Sequence, residues 1–252
     1  LHPVLRPSES EYRAIKTIGE IARSEQMPLY IVHLSSKRGY DAVKELREAG
    51  AKLFIETTPH YLLLTNELLS REDGQKYLMT PPLREAADNE ALWQGLERGD
   101  IETVATDHCS FTPEQKFSSD DCRTVLPGVP GTEELLPLMY SYGVGKGRFD
   151  DRRLVYLLSE APAKAFGLYP QKGSLKEGTD ADVVVFDPEK KLTLEDENRH
   201  TAAGYSPYTG MTVEGLPVVT ILRGRTVVRD GEFTGEKGRG RFVTARSSHL
   251  YD

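Results

Sequence analysis

The sequence predicts an α/β fold in which a parallel sheet with helical crossovers is followed by a small all-β module. Three observations predict it. Up to residue 107, apolar residues at helical spacing alternate with short apolar runs. Each run is apolar throughout, as expected of a strand buried on both faces of a parallel sheet. After about residue 168 the helical periodicity stops, and turn-bounded, β-rich runs take over.

The first helix is predicted over 9–25. Ser8-Glu9-Ser10-Glu11 has capping-box spacing, and Tyr12, Ile15, Ile18 and Ile21 follow at helical intervals. Leu29-Tyr30-Ile31-Val32 is a strand that runs into His33-Leu34-Ser35-Ser36. A helix over 37–49 turns Ala42, Val43 and Leu46 inward and stops at Gly50. Residues 52–57 form the second strand, which ends near Pro59-His60-Tyr61. A longer connection carries Met79-Thr80-Pro81-Pro82-Leu83-Arg84. Asp88 then caps a helix with Leu92, Trp93 and Leu96, and Gly99 ends it. The third strand is 103–106, and Asp107 and His108 follow where it runs out.

Residues 111–131 are a loop too long for a plain connection. Thr132 caps a helix to about Tyr142. Two short helices follow near 150–158 and 161–166, and Gly167 closes the second. In the β module the strands are 181–186, 216–223 and 225–229, the last two joined as a hairpin at Gly224. A long irregular insertion covers 193–215. The expected organisation is a first domain over 1–168, a β domain over 169–235 and a tail over 236–252.

A net charge of −7 with no Lys/Arg cluster argues against a nucleic-acid partner. No apolar run is long enough to span a bilayer, and no signal peptide is read, so no membrane role is expected. The two cysteines, Cys109 and Cys122, form no CxxC pair, and a reduced, cytoplasmic setting is the default expectation.

The chemistry is expected where the strands end. Burying an unpaired acid inside a strand is costly, but the C-terminal tips of parallel strands are where α/β folds keep their reactive groups. His33, His60 and Asp107 all fall at such tips. His and Asp there suit a borderline divalent cation such as zinc. Such a metal makes hydroxide available at neutral pH, and an Asp beside it can pass a proton to a leaving nitrogen. Each residue also has a plainer reading: Asp107 as a turn cap, His33 and His60 as packing residues. His108 reads as a support for Asp107. His2, His200 and His249 lack such a setting and read as surface or packing residues. Thr80 to Arg84 offers a hydroxyl, rigid backbone and a guanidinium, which suit the edges of a cyclic amide, or else form a simple structural turn.

Seven stretches, in order, resemble one family. They are Ile31-Val32-His33-Leu34-Ser35, Glu56-Thr57-Thr58-Pro59-His60-Tyr61-Leu62, Met79-Thr80-Pro81-Pro82-Leu83-Arg84, Ala105-Thr106-Asp107-His108-Cys109, Pro127-Gly128-Val129-Pro130-Gly131, Gly178-Thr179-Asp180-Ala181-Asp182 and Ser206-Pro207-Tyr208-Thr209-Gly210-Met211. Together they resemble the cyclic amidohydrolases, most closely the hydantoinase/dihydropyrimidinase branch. The resemblance implies part of a (β/α)8 TIM barrel plus part of a β-sandwich. It implies two divalent metal ions, commonly zinc, in the complete enzyme, bridged by a carboxylated lysine. It makes His33 a metal ligand, and Asp107 both metal ligand and general base. Thr80, where relatives often carry Ser, and the backbone near Pro127, where they often carry Asn, become substrate contacts. Apart from the resemblance, Arg84 and the 111–126 loop read as candidate specificity elements. The implied reaction is hydrolytic opening of a hydantoin or dihydropyrimidine ring by metal-activated hydroxide.

The family's first-strand His-x-His, its bridging lysine, the tyrosine that follows it and its fifth-strand histidine are missing. His2-Pro3-Val4-Leu5-Arg6-Pro7 resembles the segment just after that histidine. The chain is therefore expected to be the C-terminal half of an enzyme, inactive alone, whose partner is the N-terminal half. A homodimer or homotetramer is implied by the resemblance. Close alternatives are allantoinase and dihydroorotase. A different one is a non-catalytic dihydropyrimidinase-related scaffold, against which the retained His33 and Asp107 speak.

Overall fold

A computed structural model describes residues 2–119 and 121–246. His249 and the end of the expected tail lie outside the described residues. The chain forms two compact units, one of Leu1–Leu135 with Leu194–Met211, the other of Leu136–Thr193 with Thr212–Asp252. This division differs from a boundary at 168: the helices after 135 group with the β module, and the insertion groups with the first unit. No helix among the described residues is long and apolar enough to cross a membrane.

The first unit is built on a three-stranded parallel sheet in the order β1 (Leu29–Ile31), β2 (Leu53–Thr57), β3 (Thr103–Val104). Leu29 pairs with Leu53 and Ile31 with Ile55; Glu56 pairs with Thr103. Three longer helices serve this sheet: α1 (Ser8–Ser24), α2 (Lys37–Glu48) and α3 (Ala86–Arg98). Their inward faces carry Ala42, Val43, Leu46, Leu92 and Leu96, all buried with Leu34, Ile55 and Ile101. The parallel register brings the C-terminal ends of all three strands to one edge, so His33, His60 and Asp107 follow strand ends on the same side.

Four local readings need correction. The Ser8–Glu11 capping box does not form. Pro7 takes the N-cap position, and Glu11 turns away to accept bonds from Ser35 and Ser36. Asp88 is the third residue of α3, not its cap; Glu85 caps, and its N–H donates to Asp88. The third strand is shorter than 103–106: its pairing with β2 ends at Val104, and Ala105 adds one further bond, from its N–H to the Thr57 carbonyl at 3.0 Å. β1 is also only half-buried, with Val32 exposed, because it pairs with β2 on one side alone among the described residues.

The second unit holds a four-stranded antiparallel sheet in chain order: β4 (Val183–Thr193), β5 (Thr212–Leu222), β6 (Arg225–Arg229) and β7 (Glu232–Phe233). β4 and β5 are longer than the sequence suggests. β6 matches, and β5 meets it at Arg223-Gly224, where both residues have positive φ as a two-residue hairpin requires. The two helices expected near 150–166 run on as one, Asp151–Val155, a wider π-type turn at Tyr156–Glu160, then Ala161–Ala165.

Candidate active site

His33 and Asp107 share an unusual backbone. Their φ angles are +42° and +46°, in the left-handed region that side chains other than glycine rarely adopt. Such strain persists where the surroundings over-determine it, and it concentrates at functional sites. Here it is found just beyond the ends of β1 and β3.

The loop after β1 is held by two carboxylates. Glu56, at the end of β2, accepts from the His33 N–H at 3.4 Å and from the Tyr30 hydroxyl at 2.7 Å. Glu11, on α1, accepts from Ser35 N–H and Ser35 Oγ, each at 2.9 Å, and from Ser36 Oγ. Burial raises the Glu11 carboxyl above its ordinary range, while Ser36, Ser35 and the Arg84 cation pull it back. Arg84 is buried; its Nε donates to Ser35 Oγ at 3.1 Å and its Nη1 to the Arg6 carbonyl at 2.6 Å. A cavity of about 540 Å³ opens beside this loop, lined by Tyr30, His33, Glu11, Thr80 and Arg84 among others. Asp107, His60 and Pro127 are not part of its lining.

His33 is linked electrostatically to the two other strand tips. Partial burial raises the Asp107 carboxyl, and the His33 charge opposes that rise. Burial, then the His33 charge, push His60 down to about 3. His60 is 1% exposed, and neither ring nitrogen has a hydrogen-bond partner. In an unfolded chain a histidine takes its proton near pH 6.5. Between that value and about 3 the unfolded state binds the extra proton. The contribution is therefore complete above pH 6.5 and is lost as pH falls toward 3. Denaturant midpoints of the metal-free protein are expected to fall across this window, and His60→Leu to flatten the fall. An equal slope in both proteins would assign it to other groups.

His108 is exposed and bonds to the loop beyond: its Nδ1 accepts from Gly131 N–H at 3.2 Å. Cys109 N–H donates to the Val129 carbonyl at 3.0 Å. Gly128 packs so closely here that a Cβ would lie 2.6 Å from the Cys109 carbonyl oxygen. Pro127 is exposed in this loop, and Thr80 is half-buried. His2 bonds the Met79 carbonyl, and His200 bonds Glu133. Among the described residues no group of three or more His, Cys, Asp or Glu comes together that could hold a metal ion. Sequence reading missed Glu11 and Glu56 as supports of the His33 loop, and it missed Lys116. Lys116 is fully buried in the loop after Asp107, where its charge within a polar segment reads as solvated surface.

The amidohydrolase family's sequence profile matches residues 22–227. The D-phenylhydantoinase of Escherichia coli O81 (strain ED1a) is 42% identical over 245 residues, covering 96% of this chain and 53% of that protein. The crystal structure of dihydropyrimidinase from Brevibacillus agri NCHU1002 superposes with a TM-score of 0.94 at 36% identity, covering 98% of this chain and 54% of that one. D-hydantoinase from a Bacillus sp. AR9 gives 0.93 at 37% identity, over 96% and 54%. The chain thus spans about half the length of the relatives it matches.

Proposed function

This chain belongs to the amidohydrolase family, and we propose on that footing that it supplies the C-terminal part of a metal-dependent hydrolase that opens the ring of a hydantoin or dihydropyrimidine. The observation that carries the reading is the pair His33 and Asp107, a nitrogen and an oxygen donor just past the ends of strands in one parallel sheet, both in the left-handed conformation. The relatives' names, D-phenylhydantoinase, D-hydantoinase and dihydropyrimidinase, point to the ring class.

The donor types suit a zinc-like ion, and their number falls short of a site. In this reading the other ligands come from sequence outside these 252 residues, and two divalent ions are held in the whole enzyme. When bound, such metals supply an activated water and polarise the ring carbonyl. Asp107 takes the proton of the attacking water and hands it to the leaving ring nitrogen. Glu56 and Glu11 hold the backbone of the His33 loop, through the His33 and Ser35 N–H groups, and so fix where the His33 side chain starts. Thr80 and the backbone at Pro127 address the polar edge of the ring amide. Residues 1–168 serve as barrel and 169–235 as part of the sandwich. The complete enzyme is read as a cytoplasmic homodimer or homotetramer.

The full-length, metal-loaded protein is expected to open both ring types, followed by loss of ring absorbance. A chelator abolishes turnover, and zinc restores it. His33→Ala is expected to lower bound metal per chain, measured by elemental analysis, with turnover falling in proportion. Full metal content with no turnover of either ring would overturn the proposal and favour a non-catalytic relative.

A further inference from the structure

Lys116 ends the single helical turn Pro113–Lys116, and its side chain is completely buried. An ammonium has three donors, and all three are assigned here. Nζ donates to the carbonyls of Leu78 at 2.7 Å, Leu126 at 2.8 Å and Gly128 at 2.8 Å. The acceptors lie on two segments. Leu78 precedes Thr80 by two residues, while Leu126 and Gly128 flank Pro127. A direct bond joins the same segments, from Gly128 N–H to the Leu78 carbonyl at 3.1 Å. One cation therefore ties together the backbones that carry both proposed substrate contacts.

That arrangement is expensive. Burying an ammonium against neutral carbonyls costs free energy that a counter-ion would offset. The Phe111 ring, 6.0 Å from Nζ, offers only a weak cation–π contact. Burial pulls the Lys116 ammonium down to about 8, against a small opposing effect of the Cys109 thiol. An apolar side chain of similar length would fill the space without this cost. What it would lack is the ability to fix three carbonyls in one geometry.

We infer that Lys116 is a positioning residue for the substrate, setting the backbone around Pro127 against the backbone leading to Thr80 so that both meet one ring. The inference rests on the ring-opening reading above. Its test uses the full-length, metal-loaded protein and steady-state kinetics on a hydantoin and a dihydropyrimidine. Lys116→Met keeps length and removes the donors. It is expected to raise KM about tenfold while kcat changes less than about threefold and metal content stays the same. Lys116→Gln, which keeps two donors, is expected to fall between the two. Three results would overturn the inference: an unchanged KM in Lys116→Met, a fall in kcat alone, or loss of the cooperative thermal transition in both variants, which would make Lys116 a scaffold residue. A wild type that opens neither ring removes the function reading and this inference together; an active wild type with an unchanged KM in the variant removes this inference alone.

Discussion

Asp107→Asn is expected to lower kcat by roughly 10²–10⁴-fold, the range for removing a general base, with the thermal transition retained. The substitution is chosen for the backbone as much as for the chemistry. Asp107 holds φ at +46°, and Asn is one of the few residues that tolerates this conformation. The loop after β3 should therefore keep its course, along with the His108 bond to Gly131. What disappears is the negative charge and the ability to accept a proton. Because the same carboxylate is read as a metal ligand, kcat must be compared at equal metal content. An Asn variant within about threefold of wild type at equal metal occupancy would remove Asp107 from the base role.

Glu11→Ala is expected to cost about 3 kcal/mol of stability. The carboxylate is enclosed, accepts from Ser35 and Ser36, and faces the Arg84 cation. Removing it leaves a backbone N–H and two hydroxyls short of an acceptor, and takes a nearby negative charge from the buried Arg84 guanidinium. For a chain of this size the loss lowers the melting temperature by roughly 6–12 °C. A second effect follows from position: Ser35 is two residues beyond His33. The variant should lose metal faster to a chelator than the wild type does. A melting temperature within about 1 °C of wild type would show that the cluster adds nothing net, as some buried ion pairs do.

The helices and strands of the first unit were legible because each buries a face large enough to impose its period on the sequence. Ala42, Val43 and Leu46 on α2 and the run 53–55 on β2 are examples. The places of His33 and Asp107, just past the ends of parallel strands, were legible for a different reason: polar residues appear where an apolar run ends. Three things were hidden. The spacing of Ser8 to Glu11 fits a cap and equally fits a helix whose Glu serves a distant loop, and only the fold brings Ser35 and Ser36 to it. Lys116 is satisfied by carbonyls, which have no side-chain signature. The start of β5 was obscured because alternation there runs exposed Thr212, buried Val213, exposed Glu214, buried Gly215, and a buried glycine does not read as apolar.

β1 carries a further consequence for anyone who handles this chain. Among the described residues its backbone is paired on the β2 side only, and apolar groups of Ile18, Leu29, Ile31 and Val32 line the cavity nearby. An open strand edge beside greasy surface is a template for indiscriminate pairing between molecules. Prepared by itself, the chain is expected to cloud as its concentration rises, faster in salts that strengthen apolar association. Introducing a charge at Val32, already exposed, should delay that onset without disturbing the sheet interior.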